Sequence, residues 1–422
     1  MSDNGHNTRT ALKLLIPLLL LYATSYFQRT ALPGTIFNDL QQDLGLTAVG
    51  IAAIGSAFIY AYSLPQLLAG MLIDRYCGSR VVLAGGILFL AGVLSQPFAG
   101  SLTALCLSRI ITGLGASTMY LSIVQEADRL FDRKYYAMLI GITYFIGYGG
   151  GLCGKLPFAL ACERFGWQQV LLAAGVLSLI LYLWFAAAAL RSKMPEISRQ
   201  KFSFSALIHI LKNPLSYLVC FCSTVNFSIY FTIQTVFGEK FLMDFAKLSV
   251  AWASGTTFMM TLLCMFALLS TGFLVKLTGK RRRPLVILAT LVCLSNCLLM
   301  LIGIYWVLPW WYFVAVYLCF AISAGSTPIF MIIMQEVNTR DGMTQATGIC
   351  NLCCYLPVAV FAPVSGAILN HFGGTLNESG VFVYSATGYL VIFAAVSVIA
   401  LISSLLSFLT PETRGHYLHL HS

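Results

Sequence analysis

Apolar residues along this chain gather into long runs separated by short polar breaks. A spanning helix needs about 20 mostly apolar residues, and runs of that kind occupy 11–37, 48–72, 81–99, 102–127, 135–160 and 167–190. A polar stretch from Arg191 to Asn213 follows, and the pattern resumes at 214–238, 248–275, 284–304, 311–334, 344–370 and 381–409. The pattern predicts an all-α membrane protein of twelve transmembrane helices. Its expected organisation is a six-helix half over 1–190, a linker over 191–213 and a second six-helix half over 214–422. The first ten residues are polar and carry only Arg9, and many spans follow the run from Ala11, so that run reads as a membrane helix rather than a cleaved leader.

The two halves echo one another. A shift of about 200 residues, the length of one six-helix half, superposes Phe27 on Phe227, Phe37 on Phe237, Asp39 on Glu239, Gly55 on Gly255 and Phe58 on Phe258. A slightly larger shift places Gln125 and Glu126 on Gln335 and Glu336. The order of these matches predicts two parallel repeats with a binding site near the membrane midplane.

Composition agrees with a lipid solvent: 59% of the 422 residues are hydrophobic and 9% are charged, against roughly 25% charged in soluble domains. The formal charge of +10 is scattered between apolar runs and forms no basic face with interleaved aromatics, which argues against nucleic acid. Lysine and arginine concentrate in cytoplasmic loops. With both termini cytoplasmic, nineteen of them fall on that side and three, Arg164, Lys240 and Lys247, on the other. The expected placement is a multi-pass protein of the cell inner membrane. Most of the thirteen cysteines lie inside apolar runs, where the residue acts as a small hydrophobe. Cys350 and Cys353 make a CxxC spacing, but no second CxxC or histidine cluster accompanies it, so neither a metal nor a cofactor is expected.

The segment GMLIDRYCGSR, Gly70 to Arg80, resembles the loop signature of the major facilitator superfamily, with Cys77 where that family usually has glycine. RIITGLG from Arg109 is similar to the family's helix 4 motif, GYGGGLCGKLP is a looser match in helix 5, and the second-half loop GFLVKLTGKRRR has Lys276 in place of the aspartate. Within the superfamily, YFQRTALPG resembles a segment of the sugar-phosphate and organic-anion permeases. The resemblance implies a secondary transporter working by alternating access, with Asp74, Arg75 and Arg80 latching the cytoplasmic side. Arg109, Glu126 and Glu336 join them as expected gating or structural residues.

Three basic residues remain inside the spans once the loops are counted: Arg29, Arg109 and Lys155. A charge at bilayer depth costs at least about 2.5 kcal/mol, so each needs a partner or a watery cavity. Arg29 shares a helical face with Tyr22, Ser25 and Tyr26, and Lys155 shares one with Tyr144 and Tyr148. Asn226, Tyr230 and Gln234 recur every four residues in helix 7, as Asn351 and Tyr355 do in helix 11. No acidic residue is expected at comparable depth, so the excess charge is positive and an anion is its natural counterion. The reading is a monomeric transporter of a small organic anion, a carboxylate or phosphorylated metabolite, anchored by Arg29 with Lys155 as a second contact. Proton symport, exchange against a counter-anion and uniport stay open. So do transport of amino acids, short peptides or neutral solutes, efflux, and a transporter-like sensor. An enzyme is not expected, because there is no nucleophile elbow, zinc motif or deep carboxylate pair.

Overall fold

The computed structural model describes residues 3–131, 133–192, 205–279, 281–338, 343–377 and 381–418. The helices, in chain order, are α1 (Asp3–Ala31), α2 (Phe37–Leu44), α3 (Ala48–Ser63), α4 (Gln66–Tyr76), α5 (Gly78–Ser95), α6 (Leu102–Ala116), α7 (Met119–Leu130), α8 (Arg133–Cys153), α9 (Leu156–Phe165) and α10 (Trp167–Arg191). They continue with α11 (Ser205–Lys212), α12 (Pro214–Thr232), α13 (Gly238–Asp244), α14 (Val250–Leu277), α15 (Arg283–Tyr305), α16 (Trp310–Ala324), α17 (Thr327–Glu336), α18 (Met343–Phe372) and α19 (Ala386–Ser407). A short antiparallel hairpin, β1 (Gly374–Leu376) with β2 (Phe382–Tyr384), precedes α19.

Among the described residues, ten helical runs are long and apolar enough to cross a membrane. The other two of the twelve expected spans are present as pairs of helices, α3 with α4 and α8 with α9. The breaks have local causes. Pro65 precedes α4, and Pro157 lies in the first turn of α9, a place where its missing N–H costs nothing. The chain is a multi-pass membrane protein, and its outer helix faces are made for lipid: Leu177, Ile180, Leu183 and Trp184 of α10 are exposed, as are Leu401, Ile402 and Leu405 of α19.

The chain forms two compact units, one of Met1–Ile36 with Ala57–Phe202, the other of Phe37–Ser56 with Ser203–Ser422. In the first unit α1 packs on α8 with Thr30 Oγ1 donating to Gly151 O at 3.0 Å, and just beyond the two helices Thr35 Oγ1 donates to Gly154 O at 3.2 Å. Close approach requires glycine there, since a Cβ on Gly150 would lie 2.1 Å from the Ala23 carbonyl oxygen. Tyr182 of α10 donates to Leu83 O of α5 at 2.7 Å. In the second unit Ser228 Oγ of α12 donates to Cys354 O of α18 at 3.0 Å, and Ser404 Oγ of α19 donates to Thr290 O of α15 at 2.9 Å. Such bonds hold membrane helices together where apolar contact alone gives no preference over lipid.

One expected boundary is wrong. The rule for apolar runs ends helix 7 at Gly238, before Glu239 and Lys240, and places Lys240 in a loop. The structure carries the same span through a π turn at Ile233–Phe237 into α13, so the run is Pro214–Asp244. Lys240 is 0% exposed. The charged residues that seemed to end the helix are instead satisfied inside it.

Candidate functional site

Helix α3 contributes a pair of rings to the first unit. Phe58 and Tyr62, one turn apart, are stacked with centroids 5.9 Å apart and planes 7° from parallel. Each carries a guanidinium: Arg109 lies 4.3 Å from the Phe58 centroid, and Arg29 lies 4.0 Å from that of Tyr62. Tyr26 meets Arg29 as well, at 4.5 Å. Both arginines are buried, at 2% and 1% exposure. Cation–π contacts are worth roughly 2 kcal/mol when desolvated, so the rings offset part of the cost of keeping these charges from water.

The two arginines differ in what else they hold. Arg109 of α6 donates from Nη1 to Gln28 O at 2.6 Å and from Nη2 to Leu32 O at 3.5 Å. It clamps the carbonyls of α1 just before Pro33, and that fixes the backbone that carries Arg29. The guanidinium of Arg29 is embedded in tyrosine. Tyr22 and Tyr26 meet edge to face at 6.1 Å, Tyr26 lies 5.1 Å from Tyr148, and Tyr22 lies 6.0 Å from Tyr120. Tyr120 and Tyr144 share a hydroxyl-to-hydroxyl bond of 2.9 Å, and Tyr144 is the exposed member at 43%. Lys155 is 0% exposed at the break between α8 and α9, just past the carbonyl of Gly154 that Thr35 holds.

The first unit thus gathers Arg29, Tyr22, Tyr26, Tyr144 and Tyr148 into one aromatic cluster. Sequence reasoning missed Phe58, Tyr62, Tyr120 and Gln28. The first two stand four apart in an apolar helix, a spacing that could have nominated them. Gln28 is fully buried, and among the described residues neither end of its amide has a hydrogen-bond partner.

In the second unit Asn226, Tyr230 and Gln234 are all buried along α12 and the π turn. Gln234 Nε2 donates to Thr261 Oγ1 at 2.5 Å. Neither end of the Asn226 amide has a partner among the described residues. Tyr355 stands edge-on to Phe227 at 4.9 Å and Phe231 at 5.5 Å, and Asn351 is half-buried. An acid that the expected end of helix 7 left outside the span is buried here, within the run Pro214–Asp244. Glu239, 1% exposed, accepts from Ser254 Oγ at 2.7 Å and Thr257 Oγ1 at 2.8 Å. The π turn is the reason, because it keeps the chain helical beyond Gly238 and turns Glu239 inward.

Two of the expected gating residues, Glu126 and Glu336, sit in separate carboxylate knots. Glu126, fully buried, accepts from Ser79 N at 2.8 Å, Ser79 Oγ at 2.5 Å and Cys77 Sγ at 3.2 Å, and it pairs with Arg129 at 2.5 Å. Its charge therefore caps the N-terminus of α5, where the helix dipole favours an anion. Burial and the nearby Glu126 carboxylate push the Cys77 thiol up from its ordinary range. Glu336 pairs with Arg282, while Glu412 accepts from the backbone N–H groups of Arg282 and Arg283 at 3.0 and 3.2 Å. Arg80 Nη1 reaches Tyr76 O at 3.5 Å, and Arg75 is exposed beside the Tyr76 ring. Asp74 lies in α4, and its side chain is outside the described residues. Cys350 and Cys354 face Ser223 at 3.8 and 3.2 Å as free thiols. Among the described residues, no group of three or more histidine, cysteine or acidic side chains is placed to hold a metal.

A family model described as Major Facilitator Superfamily matches residues 18–362. The hexuronate transporter of Bacillus subtilis is 24% identical over 417 residues, 93% of this chain and 94% of that protein. The 4-hydroxybenzoate transporter PcaK of Pseudomonas aeruginosa is 28% identical over 171 residues, 40% of this chain, and the match spans only 37% of its own length. Among solved structures, a bacterial homolog of the human lysosomal transporter Spinster superposes with a TM-score of 0.77 at 15% identity, covering 97% of this chain and 98% of that one. The peptide transporter POT superposes at 0.75 with 14% identity, covering 96% and 97%. At these identities the structural likeness speaks to the fold.

Proposed function

From the premise that this chain belongs to the major facilitator superfamily and is a transporter rather than an enzyme, we propose that it carries a small organic anion across the cell inner membrane by alternating access. The observation that carries this reading is the buried guanidinium of Arg29, held between the rings of Tyr26 and Tyr62. A guanidinium fork accepts a carboxylate bidentately, and burial among rings strengthens the pairing by excluding water. Arg109 positions the helix that presents it, and Lys155 is assigned as a second cationic contact. The hydroxyls of Tyr22, Tyr26, Tyr144 and Tyr148 and the amide of Gln28 supply neutral bonds to the rest of the solute. Asn226, Tyr230, Gln234, Asn351 and Tyr355 are assigned as candidate solute contacts within the second unit. The names of the hexuronate and 4-hydroxybenzoate transporters support a carboxylate as the substrate's charged group.

The test is binding of glucuronate, 4-hydroxybenzoate and their uncharged counterparts, glucose and 4-hydroxybenzamide, to the purified protein at constant salt. Removing one member of a buried charged pair typically costs about 2 to 5 kcal/mol, more than about tenfold in affinity. Arg29→Ala should lose at least that for the acid that binds, and Arg29→Lys should lose less because the charge remains. A preferred ligand with no negative charge, or equal affinities in wild type and Arg29→Ala, would overturn the anion assignment. The peptide and neutral-solute readings would then lead.

A further inference from the structure

Lys240 takes no part in the proposed anion site, yet it sits at the centre of a well-satisfied polar cluster in the second unit. Its ammonium has three protons to give. One goes to Asp244 Oδ1 at 2.9 Å, one to Phe382 O at 2.6 Å and one to Asn38 Oδ1 at 3.0 Å. Asp244 is satisfied in turn, accepting at Oδ2 from Tyr384 N and from the Tyr389 hydroxyl, both at 3.0 Å. The rings of Phe37 and Tyr384 cover the ammonium at 5.8 and 5.6 Å.

The partners belong to different pieces of chain. Asp244 lies one turn along the same helix, Phe382 and Tyr384 lie in the hairpin before α19, and Tyr389 lies in α19. All of these follow residue 203. Asn38, with the Phe37 ring beside it, comes from Phe37–Ser56, a segment that packs in the second unit although the residues flanking it on both sides belong to the first. Further ties hold the same segment, from Gln41 Nε2 to the Tyr384 hydroxyl at 3.0 Å and from Asn38 Nδ2 to Met243 Sδ at 3.4 Å.

We propose that Lys240 is a latch that fastens the α2 segment, Phe37–Ser56, to the second unit, and that the segment is released from it during the working cycle. The arrangement suits a reversible fastening. When Asn38 leaves, Lys240 keeps its carboxylate and its carbonyl, so no buried ion pair has to break and the charge stays compensated. Breaking a buried pair would be far costlier than losing one bond to a neutral amide. Because Asp244 and Lys240 share a helix, the pair stays intact whichever way the segment moves.

The proposal uses the transporter reading only in taking the chain to cycle between conformations. Its test needs no substrate, so its failure would leave the anion assignment standing. Backbone hydrogen exchange would be followed by mass spectrometry on the full-length protein in lipid nanodiscs, comparing wild type, Asn38→Ala and Lys240→Met. Asn38→Ala removes only the segment's end of the latch and leaves the ion pair whole. It should speed exchange at least tenfold in peptides from 37–56 while those from α15 and α19 keep their wild-type rates, and Lys240→Met, which also strands the buried Asp244 carboxylate, should speed 37–56 at least as much and loosen α13 and α19 besides. Unchanged exchange over 37–56 in Asn38→Ala would refute the latch. An increase spread through α15 and α19 in Asn38→Ala as well would refute the latch and make the cluster a support of the whole unit instead.

Discussion

At Cys77 the backbone adopts φ 74° and ψ 143°, a region that favours glycine. The side chain is tolerated because its thiol donates to Glu126, a weak bond that recovers part of the strain. A non-glycine residue held in such a region costs on the order of 1 to 3 kcal/mol, and one S–H bond offsets little of it. Cys77→Gly should therefore raise the melting temperature of the purified protein, and a lowered one would show that the thiol matters more than the strain. Because burial and Glu126 hold the thiol protonated, Cys77 should also react with iodoacetamide far more slowly in the folded protein than after denaturation, as peptide mapping after timed alkylation would read. The sequence marked Cys77 as a departure from a family glycine, but not the dihedral that makes the departure costly. In the same way it isolated Arg29 and Arg109 by their charge in apolar runs. It could not separate a guanidinium that grips two carbonyls from one that sits among tyrosines, because that depends on which helices meet.

Among elements, the α1 and α8 pair shows how unequal neighbouring glycines are. A Cβ on Gly150 would lie 2.1 Å from backbone of Ala23, whereas one on Gly149 would meet nothing within 4 Å. Gly150→Ala should thus force the helices apart and displace the Tyr26–Tyr148 contact, lowering the melting temperature by several degrees, while Gly149→Ala should be neutral or slightly stabilising through helix propensity. Equal effects of the two substitutions would contradict the packing. From the sequence, the run Gly149, Gly150 and Gly151 promised close helix approach without saying which residue faces α1. Helix 7 shows the opposite kind of error. Its apolar run was legible, but its end was misplaced because charged residues commonly close a span, and nothing local announces that Glu239, Lys240 and Asp244 have partners waiting inside.

For the whole molecule, the twelve apolar runs and the six-plus-six repeat were legible because lipid imposes a length and a polarity on every helix. The sidedness rests on the nineteen-to-three distribution of basic residues and gives its own expectation. A protease site inserted after Arg414 should be cut only in inverted vesicles, and one inserted at Lys247 only in right-side-out vesicles. The reverse pattern would invert the assignment. What the chain could not disclose is the grouping of Phe37–Ser56 with residues far along the sequence, because hydropathy counts helices without saying which neighbours they keep.

The π turn at Ile233–Phe237 adds one residue to a turn that would otherwise hold fewer, and so it sets the rotational phase of everything after it. Were the same residues wound as a regular α-helix, each peptide would turn the chain by about 100° and α13 would arrive rotated by roughly one residue's worth about its axis. Glu239 would swing away from Ser254 and Thr257, and Lys240 away from Asn38, with no change to either side chain. Deleting one residue of the turn, for instance Thr235, removes the extra peptide and lets a regular α-helix deliver α13 in its present phase, so that variant should keep the exchange protection of 37–56, whereas inserting a further residue there should lose it as fully as Asn38→Ala does. The geometry of three charged residues is thus carried by one extra peptide unit, a dependence that substitution scanning alone would never expose.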